Sequence, residues 1–238
     1  MFDANHSTEI SSHPTWTRDA APGSLAAMLQ GLEPKRRLLK PKAHVFHAGQ
    51  AAGSLFLVNS GVFKTTIASD DGRERITGFR MRGDLIGMES LGEQEYACDA
   101  VALATGEVWE YSRQQLAAAG PAVQQRLAVA LAAEIRRDWQ WMLATGSLCA
   151  EKRVVAFLLE LAQRMQAMGF SASKLSLHMT RAEIGNFLAL QLETVVRAMS
   201  KLQALGLIGI DGREVELHDA PALRALLDCS PAPSLRAA

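Results

Sequence analysis

The residues whose types and spacing could do chemistry lie in the segment TRAEIGNFLALQLETVVRAMSKLQALGLI, residues 180–208. Glu193 and Arg197 are four residues apart and share one helical face with Val196. An arginine fork can bond to guanine O6 and N7, a glutamate can accept from cytosine N4, and an apolar side chain can touch a thymine methyl group. The three side chains therefore predict a surface that reads base edges in DNA. The alternative is an ordinary surface ion pair, which contributes little to stability.

A helix-turn-helix would position that surface. Thr180 followed by Glu183 is a capping box that starts one helix, LALQ is a short break, and LETVVRAMSKLQALG resumes as a helix that ends at Gly206. The next segment, GLIGIDGREVELHD, predicts two short strands joined at Asp-Gly, which is a wing. The apolar set expected to form the core of this unit is Ile184, Leu188, Leu190, Val195, Leu202 and Ile208.

In a winged helix of this kind the second helix lays its N-terminal turns in the major groove of DNA. Polar residues around it hold the phosphates, which fixes the register of the protein without reading sequence. The residues expected in that role are Thr180, Gln191, Thr194, Ser200 and Lys201.

Upstream of this unit, short apolar runs alternate with turns marked by Gly and Asp, from KPKAHVFHAGQ to GEVWEYS. SDDGRER between two such runs indicates a hairpin, because Asp-Gly tolerates the positive φ of tight β-turns. This rhythm predicts an antiparallel β-roll over residues 21–120, after a flexible tail at 1–20. Residues 149–228 would hold the winged helix-turn-helix, and 229–238 a second tail.

Between the two units, PAVQQRLAVALAAEIRRDWQWMLATGS places Pro in a helical first turn, which predicts one long helix over residues 121–148. Its apolar side chains recur every three or four residues and draw a single stripe. We favour the seam of a homodimer for this stripe over packing within the chain. The seam residues expected are Leu127, Leu131, Ile135 and Met142.

Composition excludes several classes of protein. Lys plus Arg and Asp plus Glu both number 25 in 238 residues, so no global charge points to nucleic acid or to a membrane surface. No apolar run approaches the length of a membrane span, and the N-terminus MFDANHSTEISSHPTW lacks the apolar region of a signal peptide. Three widely spaced cysteines argue against a disulfide framework and indicate a reducing cytoplasm.

The order of β-roll, long helix and winged helix-turn-helix resembles the CRP/FNR superfamily of bacterial transcription regulators. The similarity covers nearly the whole chain from about residue 25. It is strongest to the FNR branch, in AGQAAGSLFLVNSGVFKT, ERITGFRMRGDLIG and MTRAEIGNFLALQLETVVR. The resemblance implies an α+β fold with an N-terminal antiparallel, cyclic-nucleotide-binding-like β-roll (a jelly roll), a long dimerisation helix and a C-terminal winged helix-turn-helix.

The resemblance also implies a function: a homodimeric transcription activator, not an enzyme, that binds inverted repeats and contacts RNA polymerase. The expected site is near TTGA-N6-TCAA, read by Glu193, Val196 and Arg197, although position 196 is commonly Ser in that branch. The resemblance implies a role for Asp138 as well, because in the matched helix of the FNR branch an acidic residue at this position tunes dimerisation by repulsion.

The first sensor chemistry to weigh is a cyclic nucleotide. Family members that bind one carry an Arg, usually followed by Ser or Thr, shortly after a Gly-Glu motif. Here Glu89 follows Met, and Tyr96 and Ala97 stand where Arg-Ser would align. No Lys or Arg lies between Arg82 and Arg113, a stretch rich in acidic residues, and a buried phosphate without a cation is strongly disfavoured. We therefore expect no binding of cyclic AMP, which also disfavours a cyclic-nucleotide regulatory module.

The second chemistry is the iron–sulfur cluster of the FNR type, which needs four cysteine ligands. The chain has Cys98, Cys149 and Cys229, and none precedes Cys98, so no N-terminal cluster is expected. Cys149, just beyond the long helix, is the candidate for redox modification.

The third chemistry is haem or another metal held by histidine. His44 and His47 form H-x-x-H, which is similar to the paired histidines of cupin enzymes, a different class of protein. Residues three apart on a strand point to opposite faces, so these two are expected not to share a metal. His6 and His13 could ligate haem in trans. We expect no metal site and no cofactor, with a haem- or redox-responsive member of the same family as the alternative and the effector unidentified.

Overall fold

The computed structural model of the chain describes Leu29, residues 32–69 and residues 72–228. The expected tails at 1–20 and 229–238 lie outside the described residues, as do His6 and His13. Of the helices in the described part, none is long and apolar enough to span a bilayer.

The N-terminal unit is a roll of two antiparallel sheets, as the alternation of short apolar runs and turns predicted. The sheets have the strand orders β1-β8-β3-β6 and β2-β7-β4-β5. Their strands are β1 (Lys35–Leu39), β2 (His44–Phe46), β3 (Ser54–Ser60), β4 (Phe63–Ala68), β5 (Glu74–Arg80), β6 (Leu85–Ile86), β7 (Asp99–Ala102) and β8 (Gly106–Ser112). β4 and β5 form the hairpin expected at SDDGRER, with Gly72 at φ 77°.

Strand β3 is buried on both sides, which explains its continuous apolar run. Phe56 and Val58 point into the core between the two sheets, whereas Leu55 and Leu57 point to the opposite face. On that second face they meet Leu127 and other apolar residues of the helices that follow the roll. The roll therefore needs the long helix to cover one of its sheets.

The helices that follow the roll are α1 (Arg113–Ala118) and the long α2 (Pro121–Ser147). α2 begins at Pro121, as predicted, and runs for 27 residues without a break. The C-terminal unit contains α3 (Ala150–Ala167), β9 (Lys174–Ser176), α4 (Arg181–Leu188), α5 (Leu192–Ala204), β10 (Ile208–Asp211), β11 (Glu214–Leu217) and α6 (Ala220–Asp228).

The wing predicted from GLIGIDGREVELHD is the β10–β11 hairpin, and Gly212 in its turn has φ 58°. The sequence interpretation missed its third strand, β9, which pairs with β11 through Leu175 and Val215. Leu175 is fully buried under the sheet, so β9 closes the edge of the wing against the helices.

The roll, the long helix and the C-terminal unit meet in one aromatic cluster. Phe79 of β5 contacts Phe157 of α3 and Phe187 of α4 at ring-centroid distances of 6.0 and 5.3 Å. Trp141 of α2 lies 4.9 Å from Phe187 in an edge-on arrangement, which aromatic pairs favour. Side chains from four elements therefore hold the C-terminal unit against the roll.

A network of charges borders this cluster. Asp84, in the turn between β5 and β6, accepts from Arg164 of α3 and, at 3.4 Å, from Arg137 of α2. Arg137 also pairs with Glu134 at 2.8 Å, and Glu134 in turn contacts Arg80 of β5. Burial would raise the pKa of Asp84, but the surrounding guanidinium groups, with Arg164 first, hold it below its usual range.

Candidate nucleic-acid interface

The first helix of the pair, α4, begins with the capping box that the sequence predicted. Thr180 Oγ1 accepts from the backbone N–H of Glu183 at 3.1 Å, and Glu183 Oε2 accepts from the N–H of Thr180 at 2.8 Å. Burial would raise the pKa of Glu183, but the bond from Thr180 and the ammonium group of Lys64 lower it. The hydroxyl of Thr180 is committed to this cap, so the phosphate contact predicted for it would have to be made in addition.

The turn between the two helices depends on a close approach at Gly185. A Cβ added to Gly185 would lie 2.7 Å from the carbonyl oxygen of Leu190, closer than any side chain can come. The backbone N–H of Leu190 donates to the carbonyl of Gly185 at 2.8 Å, and Ala189 takes the left-handed conformation at φ 56°. The predicted break is therefore real, and it sets the angle at which α5 leaves α4.

Helix α5 divides its residues between two faces. Val195 and Leu202 are buried against α3 and α4, as the apolar pattern predicted, and Met199, which was not in the predicted set, is buried with them. The three predicted base-reading residues, Glu193, Val196 and Arg197, are all exposed. Val196 is 44% exposed on this face.

The alternative interpretation of Glu193 and Arg197 as an ion pair is not supported in the described residues. Arg197 Nε donates to the backbone carbonyl of Glu193 at 3.4 Å, so the arginine head is held near the start of α5 by its own helix. The glutamate carboxylate and most of the guanidinium fork stay available for another molecule.

The predicted phosphate contacts also lie around α5. Gln191 caps the helix, and its side chain and that of Ser200 are exposed, whereas Thr194 is only partly so. Lys201 is exposed too, but its Nζ pairs with Glu151 of α3 at 2.6 Å, which raises the pKa of the lysine. A phosphate would therefore compete with a carboxylate for this ammonium group. These phosphate contacts remain predictions.

Two positions near the interface had no place in the sequence interpretation. Arg181, the first residue of α4, donates from Nη2 to the carbonyl of Gly212 at 3.2 Å and ties the helix pair to the wing. Asn186 bonds in both directions with strand β5, accepting from the N–H of Ile76 at 2.7 Å and donating to the carbonyl of Glu74 at 2.8 Å. Asn186 thus docks α4 on the roll.

Two family matches divide the chain as its fold does. The family described as a cyclic nucleotide-binding domain matches residues 36–119, and that described as a Crp-like helix-turn-helix domain matches residues 152–226. The transcriptional activator protein anr of Pseudomonas aeruginosa is 38% identical over 193 residues, which cover 80% of this chain and 79% of that protein. The fumarate and nitrate reduction regulatory protein of Salmonella typhimurium is 32% identical over 82% of this chain and 79% of its own.

The solved structure of FixK2 from Bradyrhizobium japonicum superposes with a TM-score of 0.75 at 30% identity, covering 84% of this chain and all of that one. The chain belongs to the CRP/FNR family. It is a DNA-binding transcription regulator of the CRP/FNR type, close to the FNR branch, and not an enzyme. The α+β fold, the winged helix-turn-helix and the resemblance to the FNR branch predicted from sequence are confirmed, and the cupin-like alternative is wrong.

The roll covers most of the segment that matches the cyclic nucleotide-binding domain, and Tyr96 fills part of its interior. The ring of Tyr96 stacks on Phe46 at a centroid distance of 3.7 Å, and its hydroxyl donates to the carbonyl of Ser54 at 2.7 Å. The side chain at the position where a phosphate-binding Arg would align is therefore part of the core. Burial raises the pKa of Tyr96, so its hydroxyl stays neutral.

One cation does reach the acidic loop that precedes Tyr96. The sequence between Arg82 and Arg113 contains none, but the guanidinium group of Arg113 folds back and donates to the carbonyls of Ser90 and Glu93. The expectation, drawn from the sequence, that no positive charge lies near this loop is therefore wrong. Because both bonds go to backbone carbonyls, Arg113 is used to hold the loop.

The described cysteines do not fit the iron–sulfur cluster that FNR-type relatives imply. Cys98 is buried, and its Sγ donates to Glu89 Oε1 at 3.2 Å. Burial, and then the Glu89 carboxylate, raise the pKa of Cys98, which keeps it a thiol rather than the thiolate that a cluster requires. Cys149 is exposed at the start of α3, and Cys229 lies outside the described residues.

The prediction that His44 and His47 point to opposite faces is wrong. Their rings stack at a centroid distance of 3.9 Å. The pairing of β2 with β7 shifts register between His44 and Phe46, so that Val45 and Phe46 both turn inward. A bulge of this kind adds one residue to the strand and brings the residue after it back to the outer face.

The residues of α2 that were predicted to form the dimer seam differ in their exposure. Leu127 is only 6% exposed and packs on the roll, and Leu131 is partly buried beside it. Ile135, Asp138 and Met142 are exposed. The apolar stripe therefore divides in two, with its first half covered within the chain and its second half free. The exposed large apolar side chains of α2 are Val129, which lies outside the stripe in the first half of the helix, and Ile135, Trp139, Met142 and Leu143 in the second half.

Proposed function

We propose that this CRP/FNR protein works in the cytoplasm as a homodimeric transcription activator that binds an inverted repeat near TTGA-N6-TCAA and contacts RNA polymerase. The observation that carries the proposal is the exposed face of α5, where Glu193, Val196 and Arg197 stand together opposite a buried face. A relative named as a transcriptional activator, 38% identical, supports the role of activator.

Each of the three side chains has a definite partner in this proposal. The Arg197 fork bonds to guanine O6 and N7, and Glu193 accepts from N4 of the cytosine on the other strand. Together they specify one G·C pair in each half-site. Val196 has no hydrogen-bonding group and selects a neighbouring thymine through its methyl group, which suits its exposed position on the same face.

Dimerisation follows from the free half of the long helix. Ile135, Trp139 and Met142 are spaced by four and three residues, which is the spacing of a coiled-coil seam, and Trp139 and Met142 are 62% and 68% exposed in the single chain. A second copy would cover them with its own identical stripe. Two recognition helices related by a twofold axis then meet half-sites about 34 Å apart.

The proposed regulator uses neither cyclic AMP nor an N-terminal iron–sulfur cluster. An absorption spectrum of the protein purified from its native host would reveal bound haem. Tyr96 in the core of the roll, and Arg113 bonded to backbone carbonyls, support the first statement. The buried Cys98 thiol, bonded to Glu89, supports the second.

The test is fluorescence anisotropy with labelled duplexes at fixed salt. The wild-type chain should bind the TTGA-N6-TCAA duplex and discriminate against a duplex with A·T in place of G·C at the third position of each half-site. Arg197→Ala should cost about 1–3 kcal/mol per half-site and relax discrimination at that base pair alone. Lys201→Ala should weaken binding to all duplexes alike and flatten the salt dependence.

Gln203→Ala is the matched control, because Gln203 is exposed on the same helix but lies beyond the base-reading turns. It should leave both affinity and discrimination unchanged. An Arg197→Ala protein whose preference for G·C is undiminished would show that Arg197 does not read this base pair, and the proposal would fail.

A further inference from the structure

We propose that His44, His47 and Asp99 form a surface site for a divalent transition-metal ion, zinc above all, on the outer face of the β2–β7 strand pair. The nitrogen and oxygen atoms that these side chains offer all lie within 4.8 Å of one another. The site is independent of the DNA-binding face and of the proposed regulatory function.

The backbone brings the three residues together. Asp99 is the first residue of β7, and His44 pairs with Val101 two residues further along the same strand. Residues two apart on a strand point to the same face, as do residues directly opposite in a pair, so His44 and Asp99 share the outer face. The bulge at Phe46 then returns His47 to that face beside Asp99.

The distances suit a small ion. A tetrahedral ion bound at about 2.0–2.2 Å sets neighbouring ligand atoms about 3.3 Å apart. His47 Nδ1 and Asp99 Oδ1 are hydrogen-bonded at 3.2 Å, so an ion that displaced the shared proton would find these two atoms at the separation of one tetrahedral edge. His44 stacks on His47, and its ligand nitrogen lies within 4.8 Å of the other two ligand atoms, so it must move closer to reach the third corner.

The surrounding contacts hold two of the ligands in position. The backbone N–H of Ala48 donates to Asp99 Oδ1 at 3.3 Å, which orients the carboxylate. The N–H of His47 donates to Gln50 Oε1 at 3.1 Å, which fixes the backbone just after the bulge. Such outer contacts are what make a cluster of ligands a defined site.

The donor types select the ion. Two imidazoles and one carboxylate suit zinc and its neighbours in the first transition row, whereas calcium and magnesium prefer oxygen alone. The neutral imidazole nitrogen is a common ligand of such ions. The side chain of His47 is 61% exposed, so an ion enters without any opening of the fold, and water completes its coordination. The bound ion would fasten β2 to β7 at the edge of their sheet.

The test is isothermal titration of zinc chloride into the full-length, tag-free protein after chelation and dialysis. We expect one zinc ion per chain, with the affinity lowered at least about tenfold in His44→Ala and in Asp99→Asn. His218→Ala is the matched control, because His218 lies on the wing and bonds to the Gly206 carbonyl, and it should bind zinc like the wild type. Unfolding curves in chelator should be the same for all four proteins.

Cobalt(II) supplies a second measurement that separates this site from the exposed thiol of Cys149. Nitrogen and oxygen ligands give visible absorption bands without the near-ultraviolet charge-transfer band of a thiolate. Visible bands that disappear in Asp99→Asn would support the site. A thiolate band, zinc binding that both variants retain in full, or no binding by the wild type would overturn the proposal.

Discussion

The buried carboxylate of Asp84 allows a sharp prediction, because three parts of the molecule meet there. Asp84 accepts from the N–H of Met81 at 2.7 Å and pairs with Arg164 of α3 and Arg137 of α2. Asp84→Asn keeps the shape of the side chain and removes its charge. Two guanidinium groups then lose their shared partner in a partly dry environment.

The loss of stability in Asp84→Asn depends on which ion-pair partners Arg137 and Arg164 retain. Removing one partner of a fully buried pair costs about 3–5 kcal/mol. Here Arg137 keeps Glu134 at 2.8 Å and Arg164 keeps Glu160 at 3.6 Å. The side chains of Asp84, Arg137 and Arg164 are also 14%, 25% and 19% exposed, so solvent screens part of the loss. We therefore expect Asp84→Asn to lower the free energy of unfolding by about 2–3 kcal/mol.

The assay is a double-mutant cycle of Asp84→Asn and Arg164→Gln in urea, followed by both tryptophan fluorescence and far-ultraviolet circular dichroism. The coupling energy should exceed about 1 kcal/mol. The exposed pair Lys174–Glu216, with its atoms 3.9 Å apart, supplies the control cycle and should couple by less than about 0.5 kcal/mol. Equal coupling in the two cycles would refute the reasoning.

The same variant gives a pH signature with a fixed sign. Because the folded pKa of Asp84 is below its ordinary value, its contribution to stability is complete above the unfolded pKa, about 3.9. That contribution disappears as the pH falls through the depressed folded pKa. The urea midpoint of the wild type should therefore fall more steeply below about pH 4 than that of Asp84→Asn.

Three further predictions concern the dimer, the turn and the roll. Ile135→Glu should place two like charges in one interface and give monomers by light scattering. Asp138→Ala should tighten the dimer. An unchanged dimerisation constant in both variants would show that the dimer interface lies elsewhere on the protein. Gly185→Val should strain the backbone at Leu190 and lower the melting temperature together with DNA affinity, and a variant as stable as the wild type would contradict the 2.7 Å approach expected for a Cβ at this position. Isothermal titration with cyclic AMP should show no binding near physiological concentration, and micromolar binding that raises DNA affinity would overturn the assignment of Tyr96 to the core.

Features that depend on neighbouring residues were readable from the sequence. The capping box of Thr180 and Glu183, the break before α5 and the turn at Gly212 are each decided within a few positions, and the structure has all three. The exposed and buried faces of α5 follow from helical periodicity alone, because a helix with one apolar stripe has one way to bury it. For that reason the exposed face of α5 was placed correctly, and its base-reading role stays a prediction.

Features that depend on residues far apart in the chain could not be read from the sequence. The bulge beside Phe46 changes the face of the sheet on which His47 lies, and no local sequence pattern indicates that a strand contains an added residue. Leu127 and Ile135 belong to one apolar series, yet only the roll decides that the first is covered within the chain. Arg113 reaches a loop about twenty residues upstream, so a count of charges along the sequence could not place it.

The contacts of Asn186 and Asp84 together bear on how the regulator reads DNA. Asn186 docks α4 on strand β5, and Asp84 joins α3 to the long helix through its two arginines. Both contacts fix the recognition helix relative to α2, whose free face would form the dimer. In a twofold dimer the distance between the recognition helices is set by that angle, and DNA accepts only whole-turn separations of its half-sites. Loosening either contact should therefore weaken binding to the inverted repeat more than binding to a single half-site.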